Sequence, residues 1–221
     1  MKKFGFTLAE VLVTIGIIGI IAALTMPTFT QNTQKAKIGP KLAKARAVFE
    51  QAALAVLDDA QVDALSDALV TCSDDATTTQ ALIPNSSSGS NNDEIACFWY
   101  NMGHHMKGSI SISNQTVFDS TDGVSYLVVM LGQPGTGLYA HQKQVGNLII
   151  DINGLNNLPD ANGRDFFYFQ IRNDGSLMPW GSSQGSADNA WTIKCKADEV
   201  PENAAYCAGH IFENNLKVLY K

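Results

Sequence analysis

Hydrophobic and polar positions along this chain change their period twice. From residue 6 to residue 26 the positions are apolar or small apart from Thr7, Glu10, Thr14 and Thr25, and Glu10 alone is charged. At about 1.5 Å per residue that stretch makes a helix of roughly 32 Å, close to the ~30 Å hydrocarbon core of a bilayer. After it the pattern becomes striped. Ile38, Leu42, Ala45, Phe49, Ala52, Val56 and Leu57 recur at three- and four-residue spacing, which predicts an amphipathic helix. A second apolar set, Val62, Leu65 and Leu69, extends it to about residue 70. Pro27 closes the apolar run, and Gly39-Pro40 predicts a kink or interruption in the striped helix. Residues 73–92 are rich in Ser, Thr, Asn and Asp and predict a loop, of low complexity over 86–92. Beyond about residue 110 no helical period is evident apart from short pieces. Strands are predicted at 109–113, 124–131, 147–152 and 166–172, with a hairpin turn at Asp174-Gly175 leading to Leu177. One long helix succeeded by an antiparallel sheet is an α+β pattern.

Composition adds a polarity to this order. The chain has 221 residues and a net charge of −6. Residues 28–57 hold Lys35, Lys37, Lys41, Lys44 and Arg46 against Glu50, whereas residues 58–221 hold 8 basic and 19 acidic side chains. An acidic distal region argues against a nucleic-acid partner, since phosphate-backbone binding needs a basic surface.

The apolar run has two ordinary readings. A secretory signal peptide needs an apolar core of about 7–15 residues and then a small-residue cleavage site; this run is longer, and Ala22-Ala23 makes a poor site. A plain membrane anchor accounts for the length but not for Glu10, because ionisable residues within a span are costly and usually pair. Here the residues resemble a known family. Lys2-Lys3-Phe4-Gly5 joined to Phe6-Thr7-Leu8-Ala9-Glu10 is similar to the leader of type IV pilins and type II secretion pseudopilins. The resemblance covers residues 1 to about 30.

The resemblance implies a set of roles. Prepilin peptidase cuts after Gly5 and N-methylates Phe6, and Glu10 pairs with a neighbouring subunit's new N-terminal amine. The chain is then divided into a leader (1–5), a transmembrane helix (6–27), an amphipathic stem (28–70) and an exported head (71–221), with the stem packed on the sheet in the pilin-like manner. The expected function is that of a structural subunit of a type II secretion pseudopilus or type IV pilus. Its expected partners are other pilin or pseudopilin subunits, the peptidase and an inner-membrane assembly platform. The expected location is the bacterial inner membrane, single-pass, with a cytoplasmic N-terminus and a periplasmic or extracellular head. The alternative is a membrane-anchored minor pilin or binding module that recognises a ligand, a surface or a secreted substrate. The flanking charge conflicts with this orientation. Five basic residues come after the run and two precede it, and the positive-inside rule counted literally would place the stem in the cytoplasm.

Four cysteines, Cys72, Cys97, Cys195 and Cys207, lack metal-binding spacing, and in an exported chain they suggest disulfides. Three connectivities are open; the favoured one pairs Cys72 with Cys97 and Cys195 with Cys207, each closing a local loop. The segment 151–165 is rich in oxygen side chains, and similar Asp-x-Asn-Gly segments occur in pseudopilin-like proteins. Asp151, Asn153, Asn156, Asp160 and Asp165 are candidate ligands for calcium, which takes 6–8 oxygens. The competing reading is a turn held by side-chain-to-backbone hydrogen bonds. His104-His105 has no glutamate at metalloprotease spacing. The glycines of 132–137 lack the lysine of a phosphate-binding loop, and no serine elbow is present, so no enzyme is expected.

Overall fold

The computed structural model describes residues 5, 7–68, 91–112, 116–131, 144–155, 157, 163–182, 195 and 205–219, without the side chains of 26–32, 91–94, 96, 97, 111, 112, 116, 130, 131 and 144. The chain divides into two units, Met1–Lys37 and Ile38–Lys221.

The first unit is helical from Leu8, where helix α1 (Leu8–Ala60) begins. Its apolar side chains face outward all round: Leu8, Ile18 and Leu24 are 81 %, 65 % and 73 % exposed. A helix that is apolar on every face belongs in a protein core or a membrane. The stretch Leu8–Thr25 is long and apolar enough to cross one.

In the second unit the rest of α1 behaves as the striped pattern predicts. Leu42, Ala45, Phe49, Ala52, Ala53, Val56 and Leu57 are buried. The helix passes through both prolines. Pro27 and Pro40 each forfeit one donor to the carbonyl four residues earlier, yet neither breaks the element. The predicted interruption at Gly39-Pro40 is therefore absent, and Gly39 has another task. A Cβ there would collide with the carbonyl oxygen of Leu216, so the glycine lets the C-terminal tail rest directly on the stem.

The helix also ends sooner than its apolar spacing predicts. Gln61 adopts a left-handed φ of 52°. Its N–H donates to Asp58 O, and the Val62 N–H donates to Leu57 O. These two bonds form the Schellman stop that glycine normally provides; with glutamine in its place, nothing in the sequence announces it. Residues 65–68 are helical again. Their start is capped from across the fold, as Leu65 N–H donates to Asn173 O and Ser66 N–H to Asn173 Oδ1.

Helix α2 (Asn91–His105) has no counterpart among the predicted elements. Its signal lies in Ile95, Phe98, Trp99, Met102 and Met106, all buried and spaced as one helix face. The sheet is a meander of β1 (Gly108–Ile112), β2 (Thr116–Ser120), β3 (Ser125–Leu131), β4 (Gln144–Asp151), β5 (Phe166–Arg172) and β6 (Leu177–Pro179), with every neighbouring pair antiparallel. Four strands and the Asp174-Gly175 hairpin match the sequence reading; β2 is additional, because Val117 and Phe118 alone are too short an apolar run to stand out. Gly175 supplies the left-handed φ of 81° the hairpin needs. Helix α3 (Cys207–Glu213) closes the unit.

The core lies between α1, α2 and one face of the sheet. Phe49 sits at its centre, with ring centroids 6.0 Å from Phe98, 6.4 Å from Trp99 and 6.3 Å from Tyr126. The Tyr126 hydroxyl donates to Ala45 O at 3.1 Å. Burial pushes that phenol's pKa above its ordinary value. The architecture is α+β and pilin-like, an apolar N-terminal helix, then further helices and a six-stranded antiparallel sheet.

Candidate functional site

The start of α1 is built by a reciprocal pair. Thr7 precedes the first helical residue, and its N–H and hydroxyl both donate to Glu10 Oε2, at 2.9 and 2.7 Å. The Glu10 N–H donates back to Thr7 Oγ1 at 3.4 Å. The spacing Thr7-x-x-Glu10 is that of a capping box, in which N-cap and N3 side chains satisfy each other's backbone donors. A carboxylate in the first turn also suits the positive end of the helix dipole. Glu10 is therefore not a bare charge in an apolar helix; its own chain occupies it. The spacing that signals this role is present in the sequence, although the sequence reading assigns Glu10 an intersubunit partner alone. Gly5 is exposed, and a Cβ at that position meets nothing within 4 Å. Among the described residues, packing does not require glycine there. Phe6 lies outside the described residues. Cβ atoms at Gly16 and Gly19 also meet nothing.

The 151–165 loop lies at the far ends of β4 and β5. Asp151 and Asp165 are 1 % and 3 % exposed. Asp151 Oδ1 accepts the N–H groups of Asn153 and Gly154, at 3.0 and 3.1 Å. Asp165 Oδ1 accepts the N–H of Phe166, and its Oδ2 accepts Asn153 Nδ2 at 3.2 Å. The same amide donates to Asn157 O at 2.8 Å, and Asn157 Nδ2 returns a bond to Asn153 O at 2.7 Å. The fold thus brings together three of the five candidate calcium ligands, Asp151, Asn153 and Asp165. Asn156 and Asp160 lie outside the described residues. Among the described residues, no three His, Cys, Asp or Glu side chains converge. Its described residues are held by the Asx-type bonds of the competing reading.

Cys195 and Cys207 are joined, with Cα atoms 4.9 Å apart. This bond ties α3 to the chain beyond β6, where Gly209 N–H also donates to Trp180 O at 2.9 Å. Cys72 and the Cys97 side chain lie outside the described residues, and so does the favoured pairing between them. His104 and His105 have separate surroundings: His105 Nε2 lies 3.0 Å from Asp59 Oδ2, and His104 meets Tyr100 edge-on.

An exposed apolar helix with one capped carboxylate in its first turn, ahead of a helix-on-sheet head, defines the class. Residues 1–26 match the family described as the prokaryotic N-terminal methylation motif, and this motif is the signature of type IV pilins and pseudopilins. It implies processing by prepilin peptidase and assembly with other pilin subunits, and it points to a structural rather than a catalytic protein. Together with the one apolar N-terminal helix, it is consistent with a single-pass inner-membrane anchor. No curated protein and no solved structure matches the chain.

Proposed function

We propose that this chain is a structural subunit of a type II secretion pseudopilus or type IV pilus, without catalysis of its own. The observation that carries the reading is the methylation motif at residues 1–26 set on a helix that exposes its apolar side chains all round. Prepilin peptidase removes residues 1–5 and methylates the amine of Phe6. The capping box gives Glu10 a specific part in assembly. Beforehand the Thr7 N–H and hydroxyl hold the carboxylate, so the helix can sit in a bilayer with this charge partly satisfied. During assembly a neighbouring subunit's Phe6 amine replaces or joins Thr7 as the partner. The amine brings a full positive charge where Thr7 offers only N–H and O–H dipoles, so in a site shielded from water it holds the carboxylate more strongly. Register results, because a subunit that packs out of step leaves the carboxylate without its cation.

The test is Glu10→Ala in the producing cell. Filaments should be lost while membrane insertion and removal of residues 1–5 persist, the latter read by mass spectrometry of the N-terminus. Filaments of normal length and number would sink the proposal. Intact ligand or surface binding by the unassembled variant would instead favour the membrane-anchored binding module.

We also propose that the 151–165 loop takes calcium. The juxtaposition of Asp151, Asn153 and Asp165 supports this reading, with Asn156 and Asp160 as further ligands. Asn153 Nδ2 now donates to a carboxylate and a carbonyl oxygen, two acceptors that calcium also favours. Calcium would raise the melting temperature of the head, and Asp165→Asn would abolish the rise; an unchanged melting temperature on titration rejects it.

A further inference from the structure

β1 and β6 are the outer strands of the sheet. An outer strand offers unpaired N–H and C=O groups to any other strand, and stable proteins usually block it. β6 is blocked. Ile171 faces Leu177 and Phe169 faces Pro179, and the Trp180 N–H goes to Tyr168 O, so the backbone of Leu177 and Pro179 points away from β5. The Leu177 N–H donates to Glu50 Oε1 at 2.9 Å. Proline has no N–H to offer.

β1 is open. Lys107 O accepts the Thr121 N–H at 3.0 Å, and the Ser120 N–H turns instead to Val124 O. With Gly108 opposite Ser120 and Ile110 opposite Phe118, the ladder bonds to β2 fall at Ser109 and Ser111. The N–H and C=O of Gly108, Ile110 and Ile112 therefore point away from the sheet. Among the described residues, no hydrogen bond reaches the backbone of Gly108 or Ile110 on that side. Gly108 and Ser109 are exposed. The strand reads Gly-Ser-Ile-Ser-Ile, with neither the charge nor the proline that guards an edge.

We infer that β1 is an interface with a second copy of this chain, the two β1 strands pairing antiparallel about a two-fold axis at Ile110. Self-complementarity supports it. Ile110 exchanges N–H···O bonds with Ile110 of the second copy, Gly108 does so with Ile112, and position 109 stands opposite 111, serine against serine, a favourable cross-strand pair. Charge supports it too. Residues 58–221 hold 8 basic and 19 acidic side chains, so two heads repel over most of their surface, whereas β1 brings no charge to the contact. A foreign strand would find the same backbone bonds but no charge on β1 to select it. The contact is isologous and closes at two copies, so it pairs heads and does not build the filament.

The experiment uses the full chain in micelles at rising concentration, with hydrogen exchange read at single amides. Gly108, Ile110 and Ile112 should exchange about tenfold more slowly once paired, the factor for about 1.4 kcal/mol in favour of pairing, and the sedimenting protein mass should double. Ser109→Lys with Ser111→Lys sets like charges opposite one another and should abolish both effects, while exchange in β5 stays unchanged as a control on folding. Chains with Ser109→Cys should cross-link through that residue to chains with Ser111→Cys, and neither to its own kind, read by peptide mass spectrometry. Exchange that stays fast at these three amides at every concentration overturns the inference. A dimer that survives the two lysines, with no protection in β1, overturns it in favour of contact through the apolar helix. Cross-linking of Ser109→Cys chains to one another as readily as to Ser111→Cys chains overturns the pairing about Ile110.

Discussion

Leu8, Ile18 and Leu24 in the first unit expose 81 %, 65 % and 73 % of their surface, whereas Phe49, Trp99 and Phe169 in the second expose none. Both groups are large and apolar, and the difference lies in what covers them. In the second unit α1, α2 and the sheet cover one another, so the core is complete within one chain. Among the described residues the first unit has one helix and no second layer, so its own chain leaves the apolar surface uncovered. The head's core is therefore supplied by its own chain, whereas the exposed face of the N-terminal helix is not.

The strongest way to break that comparison is Phe49→Ala. Removing the ring at the centre of the aromatic cluster should cost about 3–5 kcal/mol, read as a lowered urea midpoint in Trp fluorescence with the chain in micelles. Exchange over residues 8–25 should not change; if it rises in step with the head, the two units are not independent. A smaller loss is expected from opening the Cys195–Cys207 bond, whose partners are 12 residues apart. Reduction should cost about 2–4 kcal/mol by loop-closure entropy. It should appear as a lower melting temperature with faster exchange in α3, whereas an unchanged melt would show that Gly209 and its contacts hold α3 alone.

Thr7→Ala tests the first unit instead. Loss of the N-cap costs about 1 kcal/mol, confined to faster exchange of the first-turn amides, and the head's melting curve should not move. The smallest effect is on acid stability. Burial works against ionisation of both Asp122 and Asp174. Lys44 and Ser120 nevertheless hold the Asp122 pKa below its usual value, and the Ser176 hydroxyl and N–H with Arg172 do the same for Asp174. A depressed carboxylate contributes its stability above the ordinary pKa near 4 and loses it as pH falls through the folded value. The head's melting temperature should therefore show no dependence on these groups between neutral pH and about pH 5, and should fall below about pH 4. Asp122→Asn should flatten part of that acid limb; an identical slope would show that the Lys44 pair contributes nothing, as exposed pairs often do.

Much of the fold is legible in the sequence because it rests on period. The stripe from Leu42 to Leu57 marks the buried face of α1, alternation marks β1, and short apolar runs between turn residues mark β3, β4 and β5. What escapes is decided by contacts between residues distant in sequence or by unusual local geometry. Gln61 stops α1 in a conformation that glycine would have announced. Gly39 reads as a helix breaker, and only the Leu216 carbonyl beside it shows a docking point. The site divides in the same way. Thr7 and Glu10 stand at capping-box spacing, so their pairing can be read directly. Asp151 and Asp165 are close only because β4 and β5 pair in antiparallel register.

The sequence by itself determined the apolar helix, the methylation motif at residues 1–26 and the class of protein they point to, because these depend on residues adjacent along the chain. Tertiary structure decided which side chains Phe49 meets, where the C-terminal tail lies and which acids share a loop. Those outcomes depend on how helices and strands far apart in the chain close against one another; local pattern marks which face is buried but not which residues it meets.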